Sequence, residues 1–174
     1  MRAAVELEGY SALRNDANLV HYMRMESATA TVGSNMTNQN SVTFVAGQFN
    51  NAGNYVAAST QALYLVNDLG ITNGDITMIF WVSINSLPAS DDFYTLVVKG
   101  DGGTFIDYFI VYWNVAGTPH VRFSRTKAGV ANEWVDQTQT LTVDTWYQIA
   151  MTYDGISLRH RLGRLRTWRC NRAN

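Results

Sequence analysis

The sequence predicts an all-β fold, an antiparallel sandwich of two sheets, and three observations lead there. Apolar residues alternate with a period of two, which places them on one face of an extended strand. The β-branched and aromatic residues come in short runs set apart by glycine and asparagine, with 13 Gly but only 2 Pro in the chain, as strands and tight turns require. No long stretch carries the 3.6-residue period of an amphipathic helix.

In chain order, residues 1–17 read as a lead-in segment with Gly9 interrupting a turn or two of helix. Glu6 and Glu8 would share one side of a strand, as a paired-carboxylate site needs, but two solvated acids on a terminal arm explain them as well. Leu19–Met25 is the first strand, in which His21 has no partner nearby in sequence. Residues 27–40 are small and polar and read as a loop carrying the sequon Asn35-Met36-Thr37. Short strands follow at Ser41–Phe44 and Gly53–Ala58. Gln61–Leu69 leads through the Asn73-Gly74 turn signal into the strand from Asp75 to Ile84. That strand sets Ile76, Met78, Phe80, Val82 and Ile84 against Thr77, Ile79, Trp81 and Ser83. One wholly apolar face and one half-apolar face suit an inner strand covered by a second sheet. Leu87–Asp92 is a loop, Phe93–Val98 a strand, and residues 99–103 a hairpin-type connection to a strand at Phe105–Trp113. In the next strand Val121 and Phe123 alternate with Arg122 and Ser124, which predicts one wet face. Thr145–Tyr153 closes the pattern with Tyr147, Ile149, Met151 and Tyr153 on one side.

A chain of 174 residues, 47% hydrophobic, can bury a core of its own as one domain. The single cysteine, Cys170, excludes an internal disulfide framework and a CxxC metal knuckle. No run approaches the ~18 apolar residues of a membrane span. The acidic N-terminus lacks the apolar core of a secretory signal. Charge is uneven: residues 1–158 hold 7 basic and 14 acidic residues, and residues 159–174 hold 6 arginines and no acid. The arginines of that basic tail follow no regular period, so a displaced end is expected there and nucleic-acid binding is not.

Four pieces in order, N-L-V-H-Y-M-R-M-E, G-Q-F-N-N-A-G-N-Y-V, I-T-M-I-F-W-V and D-T-W-Y-Q-I-A-M-T-Y-D-G, lie within residues 18–155. Together they resemble the laminin-G-like jelly roll of the concanavalin A-like lectin and glucanase superfamily, in its bacterial and phage form. The resemblance implies two stacked antiparallel sheets over residues 18–158. It also implies an incomplete jelly roll, because residues 159–174 depart from the family pattern and look unsuited to the strand expected after Tyr153-Asp154-Gly155. An edge left open beside Leu19–Met25 would then invite self-association or a partner chain.

The superfamily's glucanases resemble one another through an E-x-D-x-x-E strand, which this sequence lacks, and it shows no HExxH, nucleophile elbow or phosphate-binding glycine loop. A non-catalytic protein is therefore expected. Many relatives hold calcium in rim loops, which makes Asp91, Asp92 and Asp101 the candidate metal ligands, although their spacing is not a calcium signature. Sugar recognition stacks an aromatic face under a pyranose ring and hydrogen-bonds its hydroxyls. Trp113 with Asn114, and Trp134 beside Asn132, are the candidates for that chemistry, read at strand ends or in loops. Trp81 and Trp146 read as core, and Trp168 belongs to the tail. The expected function is a lectin-like adhesion module that binds a glycan or protein surface outside the cell or on a virion. The alternative is a structural component of an assembly such as a phage tail.

Overall fold

The computed structural model describes residues 25–30, 33–65, 75–100, 106–126, 133–154 and 157–164. These are almost entirely β, with one short 3-10 turn at Ala57–Ser59. The chain divides into two compact units, Met1–Ile71 and Thr72–Asn174.

In the first unit, β1 (Thr37–Gln39) pairs antiparallel with β4 (Ala62–Tyr64), and β2 (Thr43–Ala46) with β3 (Asn51–Asn54). Side-chain amides stitch the turns where the backbone ladder stops. The Asn38 Nδ2 donates to the Val42 carbonyl at 2.9 Å and its Oδ1 accepts from the Val42 N–H at 2.7 Å. The β2–β3 hairpin closes through Gly47 N–H to the Asn50 carbonyl at 2.7 Å. A Cβ on Gly47 would stand 2.7 Å from that of Ala52, so only glycine fits.

The first unit corrects three sequence expectations, two of them in this hairpin. Its tight turn pairs Ala46 with Asn51, so the strands begin and end later and earlier, respectively, than Ser41–Phe44 and Gly53–Ala58. Tyr55 and Val56 leave the sheet and lie exposed. Part of the polar 27–40 segment is strand β1, hidden from pattern reading because Thr37-Asn38-Gln39 is exposed throughout and has no apolar face. Residues 1–17, Leu19–Met25 but for Met25, and the Asn73-Gly74 turn lie outside the described residues.

The second unit holds β5 (Ile76–Val82), β6 (Phe93–Gly100), β7 (Ile106–Val115), β8 (Thr118–Arg125), β9 (Glu133–Thr138), β10 (Tyr147–Tyr153) and β11 (Leu158–Arg164). They form a four-stranded sheet in the order β6-β7-β8-β9 and a three-stranded sheet in the order β11-β10-β5, all antiparallel. The alternation read from sequence is the alternation of burial. Tyr147, Ile149, Met151 and Tyr153 of β10 are buried, as are Tyr108, Ile110 and Tyr112 of β7 and Val121, Phe123 and Arg125 of β8. The register sets Ile76, Met78, Phe80 and Val82 of β5 opposite the buried row of β10. Contacts cross from one sheet to the other: the Arg125 guanidinium lies 3.9 Å over the Tyr153 ring. Arg125, 3% exposed, also reaches Glu133 at 3.8 Å, which compensates a charge that burial would otherwise penalise. The buried phenol oxygens of Tyr112 and Tyr147 accept the backbone N–H groups of Leu141 and Thr142, each at 3.0 Å, and so pin the segment between β9 and β10.

Among the described residues β5 hydrogen-bonds to β10. One further expectation changes. The first part of the basic segment is not displaced: Leu158–Arg164 is a strand in full register with β10, from Tyr153 opposite Leu158 to Tyr147 opposite Arg164. Its arginines hid this strand because they dominate its composition, yet their spacing suits it. Arg159 and Arg161 lie exposed, while Leu158 and Leu162 stand opposite buried Tyr153 and Ile149. The turn before it is held by Ser157 N–H to Asp154 Oδ1 at 2.7 Å and by Arg159 Nη2 to Asp154 Oδ2 at 3.1 Å. Residues 165–174 lie outside the described residues.

Candidate functional site

In the four-stranded sheet, the residues that alternate with the buried rows form a second face, and this face is also aromatic. Pairing aligns Phe93 with Trp113 across β6 and β7, Val111 with Arg122 across β7 and β8, and Ser124 with Trp134 across β8 and β9. With Phe109 these seven residues line a groove of about 290 Å³, near the ~300 Å³ lower end of small-ligand pockets. Phe93 meets Phe109 and Trp113 edge to face, with ring centroids 6.0 and 6.5 Å apart. Trp134 is 60% exposed, so a large π-face stands open to solvent at one wall.

Arg122 lies between the two tryptophans. Its guanidinium carbon is 4.4 Å from the Trp113 ring centroid and 5.6 Å from that of Trp134, within cation–π range of both. Asp136, its neighbour across β8 and β9, fixes the guanidinium plane. Arg122 Nε donates to Asp136 Oδ1 at 2.7 Å and Nη2 donates to Oδ2 at 2.6 Å, the bidentate fork that matches a carboxylate. This hydrogen bonding raises the Arg122 pKa above its ordinary value, so the side chain is a permanent cation. The Trp113 Nε1 is buried with no hydrogen-bond partner, a polar demand that ordinary packing leaves unmet.

The structure therefore brings together Trp113 and Trp134, which sequence spacing placed twenty-one residues apart. Both sit within strands, where the sequence suggested strand ends or loops. Asn114 is not part of the groove. It follows Trp113 on the opposite face of β7, its Nδ2 donates to the Pro88 carbonyl at 3.0 Å, and its Oδ1 is buried without a partner. Asn132 lies outside the described residues. Sequence reasoning missed Phe93, Phe109, Arg122 and Asp136 as a group; the one visible signal was Arg122 and Ser124 alternating with Val121 and Phe123. Trp81 and Trp146 are half-buried, and Trp168 lies outside the described residues.

Two of the candidate calcium ligands, Asp91 and Asp92, accept hydrogen bonds within their own loop and from the next turn. Asp91 Oδ1 accepts the Ala116 N–H at 2.9 Å and Oδ2 accepts from the Ser90 hydroxyl at 3.2 Å. Asp92 Oδ1 accepts the Phe93 N–H at 2.8 Å. Calcium takes six to eight oxygens, and among the described residues no group of three or more acidic, histidine or cysteine side chains converges. Asp101 lies outside the described residues. The two described aspartates do not by themselves supply the oxygens the ion takes; the Asp91 carboxylate latches the loop before β6 onto the β7–β8 turn, assisted by Asp91 N–H to the Asn114 carbonyl at 2.6 Å and Asn114 N–H to the Asp92 carbonyl at 3.0 Å.

A two-sheet antiparallel unit with an aromatic groove on one outer face defines the class, and sequence comparison agrees with it. The laminin-G-type model of the concanavalin A-like lectin/glucanases superfamily matches residues 50–160, and the chain belongs to that family. Neither a curated protein nor a solved structure matches the chain. No helix among the described residues is long and apolar enough to cross a membrane.

Proposed function

We propose that this protein is a non-catalytic carbohydrate-binding module, acting at a cell, extracellular or virion surface, and that the β6-β7-β8-β9 groove is its binding face. The observation that carries this reading is the pair Trp113 and Trp134 set on either side of a fixed guanidinium. Indole faces stack on the apolar face of a pyranose, and orienting donors beside them hydrogen-bond its hydroxyls. Asp136, the acid beside Arg122, is committed to that guanidinium, whereas glycoside hydrolysis takes two carboxylates with separate roles.

A glycan array probed with wild type and with Trp134→Ala tests this. Trp134 is largely exposed, so the variant should melt within a few degrees of wild type, since surface substitutions usually stay within about ±0.5 kcal/mol. Its binding should fall at least about tenfold, as loss of a stacking contact of ~1.4 kcal/mol requires. Chelator should leave binding intact, because no carboxylate is among the described residues that line the groove. Silence from well-folded wild-type protein would end the lectin reading and leave the sandwich as a structural building block of an assembly.

A further inference from the structure

The charge state of the groove carries the reading one step further and rests on it. Arg122 is the cation in the groove lining, and its charge is already answered. Two of its five N–H groups are spent on Asp136. The guanidinium and carboxylate side chains are each about a quarter exposed, at 24% and 29%, so the pair sits at the groove edge and remains reachable by a ligand. The donors left over, on Nη1 and the second Nη2 hydrogen, can reach a sugar hydroxyl, and the Asp136 oxygens can accept from one. A hydroxyl can both donate and accept, so it joins this pair without disturbing it.

A ligand carboxylate cannot. It would approach the same guanidinium within a few ångströms of Asp136, and like charges set together oppose binding. The end-on pair of donors on Nη1 and Nη2 remains open to it, but a carboxylate held there would lie beside Asp136, whose charge already answers that of Arg122. Desolvation against Phe93, Phe109, Trp113 and Trp134 would sharpen that cost. A neutral saccharide gains the aromatic contact without it.

We propose that the groove selects uncharged saccharides over uronic- or sialic-acid-bearing ones, and that Asp136 sets this choice by answering the Arg122 charge and repelling a second carboxylate beside it. Asp136 is a specificity-determining residue on this view, and Arg122 a hydroxyl donor, not an anion receptor.

The test compares neutral gluco- and galacto-oligosaccharides with uronic-acid oligosaccharides of equal length, by calorimetry on the full chain. Wild type should prefer the neutral ligands by at least about tenfold, consistent with a like-charge clash. Asp136→Asn frees the Arg122 charge and should raise acidic-ligand affinity at least about tenfold, with binding that weakens as salt is added. Asp136→Glu keeps the charge and should keep acidic ligands out. Equal wild-type affinity for neutral and acidic ligands would overturn the selectivity while leaving the lectin reading standing. Neutral preference that Asp136→Asn leaves unchanged would overturn the role of Asp136. If neither ligand class binds folded wild type, the reading beneath the inference falls with it. The wild-type comparison decides the selectivity even if the asparagine variant fails to fold.

Discussion

The four-stranded sheet has two aromatic faces, and they differ in what satisfies them. On the inner face, Tyr108, Tyr112 and Phe123 are at most 2% exposed, Tyr108 stacks on Phe123 at 6.2 Å, and the Tyr112 phenol accepts a backbone N–H. On the outer face, Phe93 and Trp134 keep about half of their surface in water, Trp113 has an unpartnered ring nitrogen, and a guanidinium lies between the indoles. Residue type does not distinguish the two faces. Completion does: the inner face is finished by the other sheet, whereas the outer one retains exposed π-surface and spare donors. An exposed aromatic patch with polar groups among its rings marks a binding surface more reliably than an isolated exposed apolar residue.

That contrast can be broken from the inside first. Phe123→Ala removes a fully buried ring and should cost about 3–5 kcal/mol, read as a lower denaturant midpoint; the exposed Trp134→Ala should leave that midpoint nearly unmoved while weakening saccharide binding at least about tenfold. Comparable stability losses from the two variants would refute the distinction between the faces.

A smaller effect is expected from Tyr112→Phe, which leaves the Leu141 N–H buried without its acceptor and should cost about 1–3 kcal/mol. The same residue imposes a pH dependence. Burial raises the Tyr112 phenol above its ordinary 10.0, so the folded state retains a proton that the unfolded chain releases. The stabilisation is complete below pH 10 and declines as pH rises beyond it. Urea midpoints between pH 8 and 11 should show that decline in wild type and a shallower one in Tyr112→Phe; parallel slopes would contradict it.

The smallest effect sharpens the groove's support. Ala116 and Gly117, the two-residue turn between β7 and β8, have φ of +47° and +82°, the left-handed pair that a type I′ hairpin uses. Glycine accepts this freely, but alanine is strained there by about 1 kcal/mol. Ala116→Asn should raise the melting temperature by a few degrees, since asparagine tolerates that region and the Asp91 latch acts on the backbone N–H. A lower melting temperature would show that the alanine methyl contributes more than its backbone strain costs.

Much of the second unit was legible before any coordinates. The face of β10 and the apolar row of β5 follow from period-two alternation, because one-sided burial leaves that trace in any strand. Strands β1, β9 and β11 left weaker traces. Thr37–Gln39 is exposed on both sides, Glu133–Thr138 has no buried row, and Leu158–Arg164 hides two leucines among arginines. Trp113 and Trp134 were legible as candidates by chemistry alone, but Asn114 misled, since adjacency in a strand puts neighbouring side chains on opposite faces.

The sequence by itself determined the class of fold, the residues that turn inward, and the absence of a glucanase-type acid motif, because these depend on local period and residue type. Only the tertiary structure decided that β9 lies beside β8, which sets Trp134 across from Ser124 and Asp136 across from Arg122. The binding groove is a product of strand register, a long-range relation that hydrogen bonding between strands creates and that no single strand encodes.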